Sequence, residues 1–354
     1  MPTVVVGAGI VGASVAYHLA RRGLPVTLID RAPSPAGGVT RDSFAWIGDS
    51  GGDWPGGADD LRGSVRADYR RLEGELPAVT VRWTGSLTWT SGSNRRRAGG
   101  PPGRGQTWIG RDEIETLEPH LRNPPEQAVY SPTDGGVDPV RVTGALVHAA
   151  RALGARVILG AAVTSMKVAR GHVQGVLSSA GFLPASMVVL AAGTEVGALA
   201  GWCGVTLPIA GSPAVLLRVS APPGLVRTIV AGPEFEAREV RDGHLLLTAP
   251  YDDQLSSTAL ERLAYQTLAR LRSTFRHAGS CRLLEWRLAD RPMPAGGPLI
   301  GHLVPGRSAY VAVTHSAVTL APTIGRLVAE EIATGTPAAE LRRCRPGVRG
   351  AIGS

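Results

Sequence analysis

Thr3-Val4-Val5-Val6-Gly7-Ala8-Gly9-Ile10-Val11-Gly12 is the stretch that decides the fold of this 354-residue chain. An apolar run of strand length, Thr3 to Val6, breaks directly into three spaced glycines. Val11, Val15 and Leu19 then recur at helical spacing until Arg22-Gly23 stops them. A second apolar run, Val26-Thr27-Leu28-Ile29, ends at Asp30. Strand, glycine turn, helix and strand in this order predict a βαβ unit. Its strands are apolar without alternation, as expected of a parallel sheet covered on both faces.

Each glycine has a separate task. Gly7 permits the tight turn, Gly9 lets backbone approach a pyrophosphate, and Gly12 lets the helix pack close to the strand. The helix N-terminus offers free N–H groups and partial positive charge to phosphates. Asp30, closing the second strand, is placed to accept ribose hydroxyls and to repel a 2′-phosphate. In this context the pattern predicts an adenine dinucleotide, against the alternative of glycines needed only for packing. Nothing in the unit itself chooses between NAD and FAD.

Moving outward, residues 48–57 are a Gly/Asp-rich loop, Asp59 to Leu76 read as a charged surface helix, and Thr80 to Thr90 alternate like a hairpin. Ser91 to Gly105 form a polar, basic loop, and Asp112 to Leu117 a short helix ended by Pro119. Asp138-Pro139 starts a helix to about Leu153, stopped by Gly154. Arg156 to Val168 and His172 to Leu177 read as a hairpin around Arg170-Gly171, and Met187 to Leu190 as a strand. Short β runs fill Pro208 to Pro250, with a long helix over Thr258 to Phe275. Tyr310 to Val313 is a strand, and Leu320 to Thr334 a last helix before Gly335.

Composition bounds the function. The chain is 44% hydrophobic and 19% charged, too apolar for disorder, and long enough for two or three domain-sized units. Its 46 Gly and 27 Pro follow no period, which excludes collagen and indicates many tight turns. Cys203, Cys281 and Cys344 lie far apart and build no disulfide framework, which points to a reducing cytoplasm. The eight histidines are dispersed, so no metal site is expected. The net charge is +8, yet Lys167 is the sole lysine. Only Arg95-Arg96-Arg97 cluster, so codon bias accounts for the balance better than a nucleic-acid surface. One lysine, placed in a hairpin, argues against Schiff-base and P-loop chemistry. No apolar run has the length to cross a bilayer. The stretch Met1 to Ala20 lacks the basic region of a signal peptide.

Four further segments carry a family resemblance. They are Gly37-Gly38-Val39-Thr40-Arg41-Asp42-Ser43-Phe44-Ala45-Trp46, Asp134-Gly135-Gly136-Val137-Asp138-Pro139, Val188-Val189-Leu190-Ala191-Ala192-Gly193, and the pair Arg291-Pro292-Met293-Pro294 with Thr314-His315-Ser316-Ala317-Val318-Thr319-Leu320-Ala321-Pro322. With the glycine motif, they make the chain resemble the D-amino-acid oxidase/glycine oxidase/sarcosine oxidase superfamily from end to end. The resemblance implies non-covalent FAD held by Gly7, Gly9, Ile10, Val11, Gly12, Asp30, Arg31, Thr40, Ser43, Ala45, Trp46, Val163, Gly193, His315, Ser316, Ala317, Val318, Thr319 and Leu320. It implies an α/β fold, a Rossmann-type FAD domain (1–75, 132–205, 290–354) beside a mainly antiparallel substrate domain (76–131, 206–289).

Under this resemblance Arg291 grips the substrate carboxylate, a task that suits a guanidinium fork. A structural ion pair with Asp290 is the alternative. Tyr251 and Trp286 are candidates for the pocket wall or, equally, for core aromatics. His315 lies beside the flavin as a loop residue. On its own residues, Thr319 reads as an N-cap and Pro322 as tolerated in a first turn, opening a helix whose apolar stripe is Ile324, Leu327, Val328 and Ile332. That helix aims its positive end at a reduced flavin, or is an ordinary amphipathic helix.

The chain also departs from the family. Thr319 replaces a lysine that activates oxygen, Leu288 and Ala289 stand where a flavin-linking cysteine occurs, and Ala295 and Ala317 replace a common Asp and Gly. The expected reaction is oxidation of the C–N bond of an amino acid or secondary amine, with O2 or another electron acceptor. A dehydrogenase, a tailoring enzyme acting on a larger metabolite or tRNA, and a flavin-binding protein without turnover are the alternatives.

Overall fold

The structure is a computed structural model describing residues 2–49, 55–90, 102–251, 256–303 and 308–347. The polar loop expected over 91–105 and the Arg95-Arg96-Arg97 cluster fall largely or wholly outside the described residues.

The glycine-motif strand (Thr3–Val6) is central in a six-stranded sheet. The order is Leu299–His302, Ala309–Val313, Met187–Leu190, Thr3–Val6, Val26–Asp30, Arg156–Leu159. All neighbours run parallel except the edge pair Leu299–His302 with Ala309–Val313. Its two faces are buried differently. Val5, Leu28 and Val189 pack against helices Ile10–Arg21, Pro139–Ala152 and Ala317–Thr334. Val4, Val6, Val188 and Leu190 pack against the antiparallel strands Val163–Ala169, His172–Ser178 and Gly181–Pro184. The period-2 alternation of a strand serves both layers at once.

An eight-stranded sheet, ordered Arg282–Pro294, Ile209–Ser220, His244–Ala249, Glu236–Arg241, Ile229–Ala231, Ser86–Thr88, Gln127–Ser131, Thr107–Gly110, forms the second layer system. Val215, Leu217, Leu245, Leu247 and Ala237 pack on Leu260, Ala264, Leu268 and Leu271 of the helix Ser257–Thr274. The opposite face of the same strands turns toward the nucleotide unit.

Several expectations need correction. Residues 80–90 are not a hairpin. Ser86–Thr88 is one strand, paired with Ile229–Ala231 and Gln127–Ser131, while Trp83 turns away to donate its indole N–H to Glu73 (3.0 Å). Arg156–Leu159 belongs to the parallel sheet, cut by Gly160 (φ 74°) from the hairpin that turns at Arg170-Gly171. The helix expected over 59–76 breaks into Ala58–Arg62 and Val65–Glu75, at the poor helix formers Gly63 and Ser64. It is not a free surface helix: Val65, Tyr69 and Leu72 are buried, and Asp68 pairs bidentately with Arg326 of the last α-helix (3.0 and 3.2 Å). Ile209–Ser220 is one long strand rather than short runs, and its partner Arg282–Pro294 is a long strand that the sequence reading did not identify. The latter is a sheet edge bearing charges and ending in prolines, which hides its alternation.

Pro322 lies inside the last α-helix, not in its first turn. It has no N–H for the Val318 carbonyl, and the buried Tyr69 hydroxyl donates to that oxygen instead (2.5 Å). Tyr69→Phe is expected to cost about 1–3 kcal/mol, the penalty of an orphaned buried carbonyl. Urea unfolding of the two proteins measures it.

His18 is buried where the first and last helices cross. Its Nδ1–H donates to the Ser14 carbonyl (2.8 Å), and Nε2 faces the Arg71 guanidinium (3.2 Å). Burial chiefly lowers its pKa from 6.5 to about 4. Between these values the unfolded chain binds the proton that the folded chain excludes, so stability rises with pH across that interval. The change is about 3 kcal/mol for His18 alone. His18→Gln is expected to flatten the difference in stability between pH 4 and pH 6.5.

Candidate functional site

The first cleft opens at the carboxyl ends of the parallel strands, where open α/β sheets bind ligands. Gly7 adopts φ +109°, and a Cβ there would lie 2.5 Å from the Ala191 carbonyl oxygen. A Cβ on Gly12 would overlap the Gly7 carbonyl, so strand and helix touch backbone to backbone. Gly9 is the extended N-cap of helix Ile10–Arg21 and offers no side chain as a cap. The Ile10 N–H reaches the Thr40 hydroxyl (3.2 Å). Asp30 accepts from the Ala8 and Ala32 N–H groups (2.5 and 2.7 Å), which fixes its carboxylate at the cleft. Gly7, Gly9, Ile10, Val11, Asp30, Arg31, Thr40, Val163, Gly193 and Ala317 all line this cleft of about 270 Å³.

A second cavity of about 520 Å³ adjoins it, and Val39, Thr40, Pro292, Thr314 and Ala317 line both. Thr40, Ser43, Ala45, Trp46, Tyr251, Arg291, His315, Ser316, Ala317, Val318 and Thr319 lie in its wall. Gly12 and Leu320 line neither space. Gly12 sits in the packed joint and Leu320 is fully buried. Trp286 also lines neither; it packs beside the substrate-side core, at the register position facing Leu217.

Arg291, on the edge strand Arg282–Pro294, sits opposite Ser212 of the neighbouring strand Ile209–Ser220. Its Nε donates to the Ser212 carbonyl (3.1 Å) and its Nη2 to the Ser212 hydroxyl (2.8 Å). Among the described residues it makes no ion pair, and the expected alternative with Asp290 does not form. Its charge helps hold the His315 pKa below the usual range, behind burial as the main cause.

The loop that crosses between the two spaces is tied to the eight-stranded sheet by two arginines, the buried Arg238 and the partly exposed Arg218. Arg238 donates to the Phe44 and Val137 carbonyls (2.6 Å each), and Arg218 to the Arg41 carbonyl (2.5 Å). Trp46 and Ser86 both donate to Asp134 (2.9 and 2.8 Å). Asp42, on this loop, has a buried Oδ1 without a hydrogen-bond partner among the described residues, and burial raises its pKa.

Sequence reasoning missed Glu236, Asp42, Ser212 and Arg238. Glu236 lies in the cavity wall and accepts from the Thr248 hydroxyl (2.9 Å). Burial pushes its carboxyl up, while Thr248 and the charge of Arg291 pull the other way. The one sequence signal was charge within a strand, Glu236 and Arg238 two apart on one face. That pattern ordinarily marks a solvent face.

Thr319 is not the N-cap of the last helix. Ser316 is, in the left-handed conformation (φ 54°) and without a side-chain cap, while Thr319 donates to the Trp46 carbonyl (2.7 Å). Two uncapped helix N-termini thus meet one continuous cleft, the first at the glycine cradle and the last at the cavity. The first suits a pyrophosphate and the second an anionic reduced flavin, so the residues present fit FAD.

The comparisons agree with this geometry. Over 210 residues the chain is 29% identical to glycine oxidase of Bacillus licheniformis, covering 56% of this chain and 55% of that one. Over 279 residues it is 29% identical to mitochondrial dimethylglycine dehydrogenase of Homo sapiens, covering 71% of this chain and 30% of that one. The chain therefore spans only about half, or less, of these relatives. In fold it is similar to L-amino acid deaminase from Proteus vulgaris with its specific insertion deleted, at TM-score 0.83 and 20% identity, covering 97% of this chain and 92% of that one. The profile of the FAD dependent oxidoreductase family, DAO, matches residues 3–331, and the chain belongs to that family.

Proposed function

We propose that the chain oxidises the C–N bond of an amino acid or secondary amine that carries a carboxylate close to the amine. The observation that carries this reading is Arg291. It is an arginine without a carboxylate partner among the described residues, braced by Ser212, in a cavity continuous with the dinucleotide cleft. Ser212 takes two of its five N–H donors, and the rest of the fork is left for a planar anion. FAD supplies the two-electron acceptor for the hydride leaving the carbon next to nitrogen. The protein's part is orientation and charge. Tyr251 shares the cavity wall, and Gly7, Gly9 and Asp30 hold the nucleotide end. The related names in the family, glycine oxidase and dimethylglycine dehydrogenase, act on molecules of this chemical kind by their names alone.

Anaerobic mixing of the yellow holoenzyme with a panel of free and N-alkylated α-amino acids tests the reading. Bleaching of the visible flavin band by at least one member is expected, and a band that no member bleaches overturns it.

A second reading concerns the acceptor. Thr319, whose hydroxyl is taken up by Trp46, places no cation where related oxidases have a lysine. This favours an acceptor other than O2, and peroxide yield measured against dye reduction separates the two. The three free cysteines, Cys203, Cys281 and Cys344, fit a reducing cytoplasm. Among the described residues no helix is long and apolar enough to cross a membrane.

A further inference from the structure

We propose that Glu236 is the base that takes the proton from the substrate ammonium, making the cavity a receptor for zwitterions held between Arg291 and Glu236. The inference rests on the function proposed above and adds a group that function lacks, since hydride leaves only from beside a neutral amine.

The sheet holds the two residues apart. Glu236 stands in Glu236–Arg241 and Arg291 in Arg282–Pro294, with His244–Ala249 and Ile209–Ser220 between them. Three strand steps, about 14 Å across the sheet, and a further offset along it separate their backbones, since the ladder carries Glu236 through Thr248 and Leu216 to Arg287 rather than to Arg291. Each head group is anchored on its own side, Arg291 by Ser212 and Glu236 by the Thr248 hydroxyl, which the ladder places directly opposite it. Among the described residues no ion pair joins them, although each lies in the same cavity wall and Arg291 acts electrostatically on Glu236. Opposite charges left unpaired across a cavity with Pro213, Leu216 and Phe235 in its wall are costly unless a ligand bridges them. A zwitterion bridges them, its carboxylate on Arg291 and its ammonium on Glu236.

The proton balance closes on these groups. The ammonium N–H bond breaks, its electron pair stays on nitrogen, and the proton moves to a Glu236 carboxylate oxygen. The nitrogen lone pair then forms the C=N bond as the neighbouring carbon loses hydride to the flavin. Glu236 returns its proton to solvent after product leaves. A raised carboxyl pKa brings this base nearer to working pH. The other titratable groups facing the cavity are Asp42, Tyr251 and His315. Asp42 lies among Arg218, Arg41 and Arg287, and His315 is weakened as a base by burial and by Arg291.

Single-turnover anaerobic reduction of the holoenzyme by a bleaching amino acid, followed against pH, tests the role. Glu236→Gln is expected to slow reduction about 100-fold near neutral pH, with the deficit shrinking as pH approaches the pKa of the amine. Glu236→Asp is expected to restore part of the wild-type pH profile. The Gln variant should keep its flavin spectrum and bind an amine-free carboxylate within about threefold of wild type, because Arg291 is untouched. A deficit equal at every pH, no deficit, or a profile that moves in Asp42→Asn or His315→Asn instead, overturns the proposal. A wild-type holoenzyme that no carboxylated amine reduces overturns the proposed function itself, a result distinguishable from all of these.

Discussion

Arg291→Ala is expected to lower kcat/KM for a carboxylated amine by about 10²–10⁴-fold while the protein stays yellow. Two charge-assisted hydrogen bonds to a carboxylate are each worth about 1.5–3 kcal/mol, and both are lost. Arg291→Lys keeps the charge but not the fork, and falls between the two. The residue is unusually suited to such a test. Its structural bonds go only to Ser212, so its removal unpairs no buried carboxylate among the described residues. Steady-state kinetics beside the visible spectrum check the result. A variant with unchanged kcat/KM for every carboxylated amine would remove Arg291 from the site.

Gly12→Ala is expected to give colourless protein. The added methyl would overlap the Gly7 carbonyl, forcing the first helix away from its strand and widening the cradle that both glycines shape. Overpacking of this kind costs about 3 kcal/mol, so FAD affinity should fall about a hundredfold. Gly23→Ala is the fitting control: Gly23 ends the same helix at φ +74° with nothing near its Cβ, so it carries backbone strain without the clash. Flavin released per mole of protein reads the difference. Colour retained in Gly12→Ala would mean the cleft does not hold the nucleotide by close backbone approach.

The nucleotide half was legible because its signals are local. Gly7, Gly9, Gly12 and Asp30 lie within one βαβ unit, and the Gly12 clash falls on the nearby Gly7 carbonyl, although the Gly7 clash comes from Ala191 of a distant strand. Asp138-Pro139 likewise announced its own helix, with Asp138 accepting from the Val140 and Arg141 N–H groups. The cavity half was legible only in part. Arg291 stood out through the family resemblance, whereas Glu236 and Arg238 carried no signal, since charges two apart in a strand ordinarily mark a solvent face. Thr319 illustrates the same limit. A threonine before a helical stripe reads as a cap, yet the helix starts three residues earlier, at Ala317, with Ser316 as its N-cap in the left-handed conformation. Of its two readings Trp286 takes the core one, because strand alternation, not residue type, chooses which face an aromatic occupies.

The central claim is that a carboxylate is held by Arg291 at the edge of the bound flavin. Titrating the holoenzyme with a small carboxylic acid that lacks an amine, while following the visible absorption of the flavin, tests it most directly. A saturable shift of the flavin band is expected in the wild type and none in Arg291→Ala at the same concentrations. An unperturbed band in the wild type, or an identical titration in both proteins, would contradict it.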